Sequence, residues 1–195
     1  MVNIPQTHPR TRSSTPVPSG VVGVLIFIAA EMMFFSALLS AYYIIRAGSP
    51  EWPPWGQPRL PVEATAVNTV ILLLSAVVLH FAYRHFKQQN KSRTIQLLTV
   101  TVLLGMIFVG MQGYEWVKLI SFGLTMTSSA YGGVFYLIIG CHALHVFGGL
   151  IALMQLLFKV RNDVASMHPS FVVPQIFWYF VAALWPLLYV TVYLL

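Results

Sequence analysis

Apolar residues run in five long blocks, and polar residues gather at the joints between them. The blocks cover residues 20–46, 62–87, 94–119, 130–158 and 172–195. Each is long enough to cross a hydrocarbon core, for which a helix needs about 20 mostly apolar residues. The joints carry helix-breaking or basic chemistry. AGSPEWPPWGQPRLP at 47–61 is too rich in proline and glycine for a helix. QQNKSR at 88–93 reads as a short basic linker, ISFGLTMTSS at 120–129 as a small polar loop, and 159–169 as a basic loop. Residues 1–19 are polar and proline-rich. The apolar run behind them is too long for a signal-peptide core, so they read as a retained polar tail. The expected fold is an all-α membrane protein, with five transmembrane helices in one bundle at 20–195.

Composition sharpens this picture. Of the 195 residues, 57% are hydrophobic and 8% charged, where soluble domains carry about 25% charged residues. Short joints leave no room for a separate soluble domain. The formal charge of +6 does not point to nucleic acid, because the basic residues flank apolar blocks. They report topology instead. With the N-terminus inside, Arg10, Arg12, Arg84, Lys87, Lys91, Arg93, Lys159 and Arg161 are cytoplasmic, and Arg46, Arg59 and Lys118 lie outside. That bias predicts a cytoplasmic N-terminus and a C-terminus on the outer side. Trp52 and Trp55 suit the headgroup level, and Pro186 is expected to kink the last span. The single cysteine, Cys141, lies within a span as a small packing residue, which excludes a disulfide framework and a CxxC motif. Haem-attachment, phosphate-loop and nucleophile-elbow motifs are absent from the sequence.

Candidate chemistry begins with Glu31, a carboxyl near the centre of the first block. A charge at the bilayer centre costs roughly 2.5–3.5 kcal/mol on insertion scales. Glu31 is therefore either a proton-active group or a hydrogen-bonded carboxyl that locks two helices. His142 and His145 sit one turn apart at a compatible depth, and one of them is expected to bond Glu31. Two histidines at this spacing also suit a shared metal, with His80 or Glu31 as the ligand from another helix, although no Glu-x-x-His pair lies on one helix. Asn68 completes the buried polar group and shares a helix face with Ser75, seven positions on. Gln112, Glu115 and Lys118 form a polar patch at the outer end of the third block, where Glu115 and Lys118 are spaced to pair. Gly132, Gly133, Gly140, Gly148 and Gly149 offer backbone surfaces for close helix approach. Phe27, Phe34 and Phe35 read as packing.

Four segments, IAAEMMFFSALLSAYY, VNTVILLLSA, GMIFVGMQGYEW and YGGVFYLIIGCHALHVFGG, occur in this order from residue 28 onward. Together they resemble subunit III of the haem–copper oxidases, the cytochrome c oxidase type, over nearly everything from Gly20 on. Glu31, Asn68, Gln112, Glu115, His142 and His145 fall on its signature positions. The family usually has seven helices, a pair followed by five, and this chain resembles the last five. Its final helix also departs, with Tyr179 and Ala182 where the family often has His and Asp.

The resemblance implies an accessory subunit with no catalytic, cofactor-binding or metal-binding residue of its own. It implies bound phospholipid, with haem and copper in partner subunits. The implied partners are oxidase subunits I and II, with cytochrome c as donor to the complex and a larger respiratory assembly as a further setting. The implied location is a bacterial inner membrane rather than a mitochondrial one. A quinol oxidase or nitric-oxide-reductase-associated homologue is the nearest alternative. A small proton channel and a metalloenzyme built on His80, His142 and His145 are more distant ones. Proton flux into liposomes and metal analysis of the purified chain separate those two.

Overall fold

The computed structural model describes residues 18–162 and 168–195. The tail up to residue 17 and residues 163–167 of the expected basic loop lie outside the described residues. The elements are α1 (Ser19–Ala47), α2 (Val62–Lys87), α3 (Lys91–Ser121), α4 (Ala130–Asn162) and α5 (His168–Tyr189). A final π-helical turn, Val190–Leu194, follows α5. Five helices are long and apolar enough to cross a membrane, and no strand occurs among the described residues. The fold is a five-helix membrane bundle.

Helix ends differ from the pattern-based expectation in α3, α4 and α5, whose start at His168 lies inside the expected loop, and the differences in α3 and α4 have local reasons. α3 begins at Lys91, inside the basic linker, because the Asn90 side chain caps it by accepting the Arg93 backbone N–H at 3.2 Å. α4 continues to Asn162, so Lys159 and Arg161 belong to its last turn and not to a loop. Cations there face the negative end of the helix dipole. α5 contains Pro174 and Pro186 and remains helical past both.

The helices α2, α3, α4 and α5 form a closed ring, α2 against α3 and α5, and α4 against α3 and α5. α1 packs on the outside of this ring, on α4 and α5. Trp178 of α5 is the central packing element and is fully buried. Its ring enters a slot between two glycines. A Cβ on Gly105 of α3 would lie 2.7 Å from Leu150 Cδ2 and 2.9 Å from Trp178 Cη2. A Cβ on Gly149 of α4 would lie 2.8 Å from Trp178 Cε3. The indole N–H then donates to Ser75 Oγ of α2 at 3.0 Å. One side chain thereby touches three other helices. Trp185 repeats the device two turns on, donating to Thr69 Oγ1 at 2.9 Å. By contrast, Gly148, Gly110 and Gly113 have nothing within 4 Å of a built Cβ.

The connections fold back onto the bundle. Gly123, at φ 88°, supplies the left-handed residue that ends α3, and Leu124 behind it is fully buried. Trp52 stands edge-on between Tyr42 and Tyr131 and donates its indole N–H to Tyr42 Oη at 3.1 Å. Trp55 is 87% exposed.

A Gly105→Val substitution is expected to lower stability by about 1–3 kcal/mol, the usual cost of overpacking. Gly110→Ala, in open space, should not. Unfolding in detergent, followed by circular dichroism, checks the contrast; equal stability of the two variants would refute the slot.

Candidate functional site

The mid-depth acid has found an imidazole. Glu31 lies about 18 Å along α1 from its start, and His145 about 22 Å along α4 from its own, at 1.5 Å per residue. The two helices run in opposite directions, so these positions meet near the bundle's midplane. His145 Nε2 is 3.0 Å from Glu31 Oε2, and the side chains are 15% and 17% exposed. On the other side of the ring, His145 Nδ1 is 2.7 Å from the Cys141 carbonyl oxygen, one turn back on α4.

That carbonyl settles the proton count. A carbonyl oxygen only accepts, so Nδ1 carries a hydrogen and donates it. One further proton then lies between Nε2 and Oε2. The pair is either imidazolium with carboxylate or imidazole with carboxylic acid, and its net charge is zero in both. A neutral pair avoids the cost of a lone charge in hydrocarbon. The hydrogen-bonded chain ends at the Cys141 carbonyl. Phe35 packs against the imidazole at 5.3 Å between ring centroids.

His142 goes elsewhere. Three residues along a helix turn a side chain by about 60° from its neighbour's direction, because each residue advances about 100°. His145 faces α1, whereas His142 enters the core, 1% exposed. There it stacks on Trp185 at 4.9 Å and 30°, and neither ring nitrogen has a hydrogen-bond partner. Asn68 also lies apart from Glu31. Its amide N–H groups donate to the Phe108 carbonyl at 3.1 Å and to Gln112 Oε1 at 3.3 Å. Gln112 in turn donates to Tyr193 Oη at 3.0 Å.

Gln112 is thus 6% exposed and part of the core, and it lines one pocket with Asn68 and Glu115. An amide at that depth must bond another helix, and two supply partners. Glu115 and Lys118 make no ion pair with each other; among the described residues the one carboxylate–cation contact is the Glu31–His145 pair. His80 is exposed on α2, and its Nδ1 lies 3.4 Å from the Tyr179 hydroxyl, which accepts from Gln175 Nε2 at 2.8 Å. His80, His142 and His145 therefore occupy three different settings. Among the described residues, no three His, Cys, Asp or Glu side chains converge as metal ligands.

Sequence reasoning did not find the Cys141 carbonyl, Tyr193 or the Tyr179–His80 contact. The first is a backbone group. Tyr193 is 81 residues from Gln112, and Tyr179 is 99 from His80, so periodicity within one segment carries no sign of either pairing.

Glu31→Ala leaves His145 Nε2 without a partner and is expected to cost about 1–3 kcal/mol. Glu31→Gln should retain most of that, because its amide N–H can donate to a neutral Nε2. Unfolding in detergent checks the order; an alanine variant as stable as the parent would show that the pair holds nothing together.

Comparison with known proteins adds an independent line. The family model described as "Cytochrome c oxidase subunit III" matches residues 10–195. The chain is 31% identical over 176 residues to "Cytochrome c oxidase subunit 3" of Synechocystis sp., covering 89% of this chain and 74% of that protein. It is 35% identical over 189 residues to the protein of the same name in Petromyzon marinus, covering 92% and 71%. It is 34% identical over 176 residues to "Probable cytochrome c oxidase subunit 3" of Nocardia farcinica, covering 88% and 86%.

Proposed function

The chain belongs to the cytochrome c oxidase subunit III family, and from that premise we propose that it acts as the non-redox, stabilising subunit of its oxidase. Membership places it in an oxidoreductase complex with other oxidase subunits. The observation that carries the finer reading is the match over residues 10–195. It is joined by a bundle in which Glu31, His145, Asn68 and Gln112 bond between helices.

In this reading the electrons travel through partner subunits. Cytochrome c reduces subunit II, and the haem–copper centre of subunit I reduces oxygen to water while protons are moved. This chain packs against subunit I and carries phospholipid on its apolar exterior. The Glu31–His145 pair fixes α1 to α4, and so fixes the face that α1 presents outward. Ile26, Met33 and Ile44 are among the large exposed apolar residues of that face. A firm face keeps subunit I and its proton-uptake entrance in working form through repeated turnover.

The lysine and arginine bias supports a cytoplasmic N-terminus in a bacterial inner membrane. The chain covers 86% of the Nocardia protein and 71% of the Petromyzon one. Roles that the family gives to a His–Asp pair in the last helix do not transfer, because Tyr179 and Ala182 stand there.

A tag on this chain should co-purify a haem spectrum and two larger subunits. Its Glu31→Ala variant should start at the parental turnover rate and then lose activity faster during sustained turnover, read as oxygen consumption against time. Recovery of the chain without haem protein removes the oxidase reading; an unchanged decay rate removes the stabilising role.

A further inference from the structure

A cavity of about 210 Å³ lies between α3 and α4, away from the Glu31–His145 clasp. Two unmet polar side chains line it, one from each helix. His142 of α4 is 1% exposed, and neither of its ring nitrogens has a hydrogen-bond partner. Trp116 of α3 buries an indole N–H that also has none. The Gln112 amide lines the cavity as well, but it is already bonded to Asn68 and Tyr193. The Trp185 N–H is likewise spent, on Thr69, and the other walls are apolar. Gly113 and Phe147 line the cavity and are exposed on the outside of the bundle, so it opens sideways, toward lipid.

A buried donor or acceptor without a partner carries the full desolvation penalty of that group. Water alone is a poor answer to it here, since an apolar cavity of roughly 150 Å³ stays dry and takes a benzene-sized guest instead. These walls suit such a guest, and the two orphan groups add one requirement to it. The indole N–H only donates, whereas a neutral imidazole has one donor and one acceptor nitrogen. A hydroxyl accepts from the indole and serves either imidazole nitrogen, because it both donates and accepts. A pure hydrocarbon serves neither group. We propose that this cavity binds a small ring compound bearing one hydroxyl, a phenol or ring alcohol that enters from the lipid phase. Its oxygen bonds Trp116 and His142, and its ring lies against Phe108 and Trp185, which already pack on the imidazole.

The test uses the tagged chain, purified in detergent with the subunits it retains, and two probes that differ by one hydroxyl. Binding of para-fluorophenol and of fluorobenzene is read by fluorine NMR. The phenol is expected to bind the parent about tenfold more tightly, the worth of one hydrogen bond. Trp116→Phe and His142→Phe keep an aromatic ring and remove the polar atoms, so each should bring the two probes close to equal. Gly113→Leu places a side chain at the cavity where a Cβ meets nothing within 4 Å. It should abolish binding of both probes and so measures uptake by the detergent. Equal affinity of the parent for the two probes overturns the proposal, as does binding of neither. A phenol preference that survives Trp116→Phe and His142→Phe, or binding that survives Gly113→Leu, overturns it too. If His142→Phe fails to assemble, Trp116→Phe decides alone.

Discussion

Hydrocarbon offers no hydrogen-bond partner, so a polar side chain deep in this bundle is met by another part of the protein or, like His142, not at all. The Glu31–His145 contact is the sharpest instance. The Cys141 carbonyl holds one imidazole nitrogen as a donor and leaves a single proton for the other nitrogen and the carboxyl to share. Neutrality follows from bond counting rather than from any special environment. The same constraint orders the rest of the interior. Asn68, Gln112 and Tyr193 form a second set, spanning α2, α3 and the terminal turn. Trp178 and Trp185 each spend an indole N–H on a hydroxyl of α2.

Within a membrane, helices gain little from burying apolar surface, since lipid tails are as apolar as leucine. Close packing and hydrogen bonds must supply the association. Trp178 combines both, because Gly105 and Gly149 admit its ring while Ser75 takes its N–H. The ring of four helices is closed around that residue. α1 has no comparable keystone. It lies outside the ring, and the buried share of its span is the smallest of the five, 11%. Its polar attachment to α4 is the carboxyl–imidazole pair.

The number and approximate limits of the helices were legible because each joint breaks the apolar pattern, and α2 runs over 62–87 as read from the sequence. The ends of α3 and α4 were not, because basic residues look alike in a loop and in a terminal helical turn. Depth alone narrowed Glu31's partner to two histidines. The choice between them rests on a rotation of about 60°, which depends on how α4 is turned toward α1. Glycines looked equivalent along α4, yet Gly149 receives a tryptophan and Gly148 faces open space. Such differences arise only when distant segments meet.

The place of α1 on the outside of the ring bears on how the protein is made. Of the five helices, α1 is synthesised before both of those it packs against, α4 and α5. Its acid enters the bilayer before the matching imidazole has left the ribosome. During that interval the cheapest state for Glu31 is the neutral acid, since hydrocarbon penalises the anion. Arrival of α4 then turns a solitary acid into half of a pair, and the outermost helix becomes the final piece to settle.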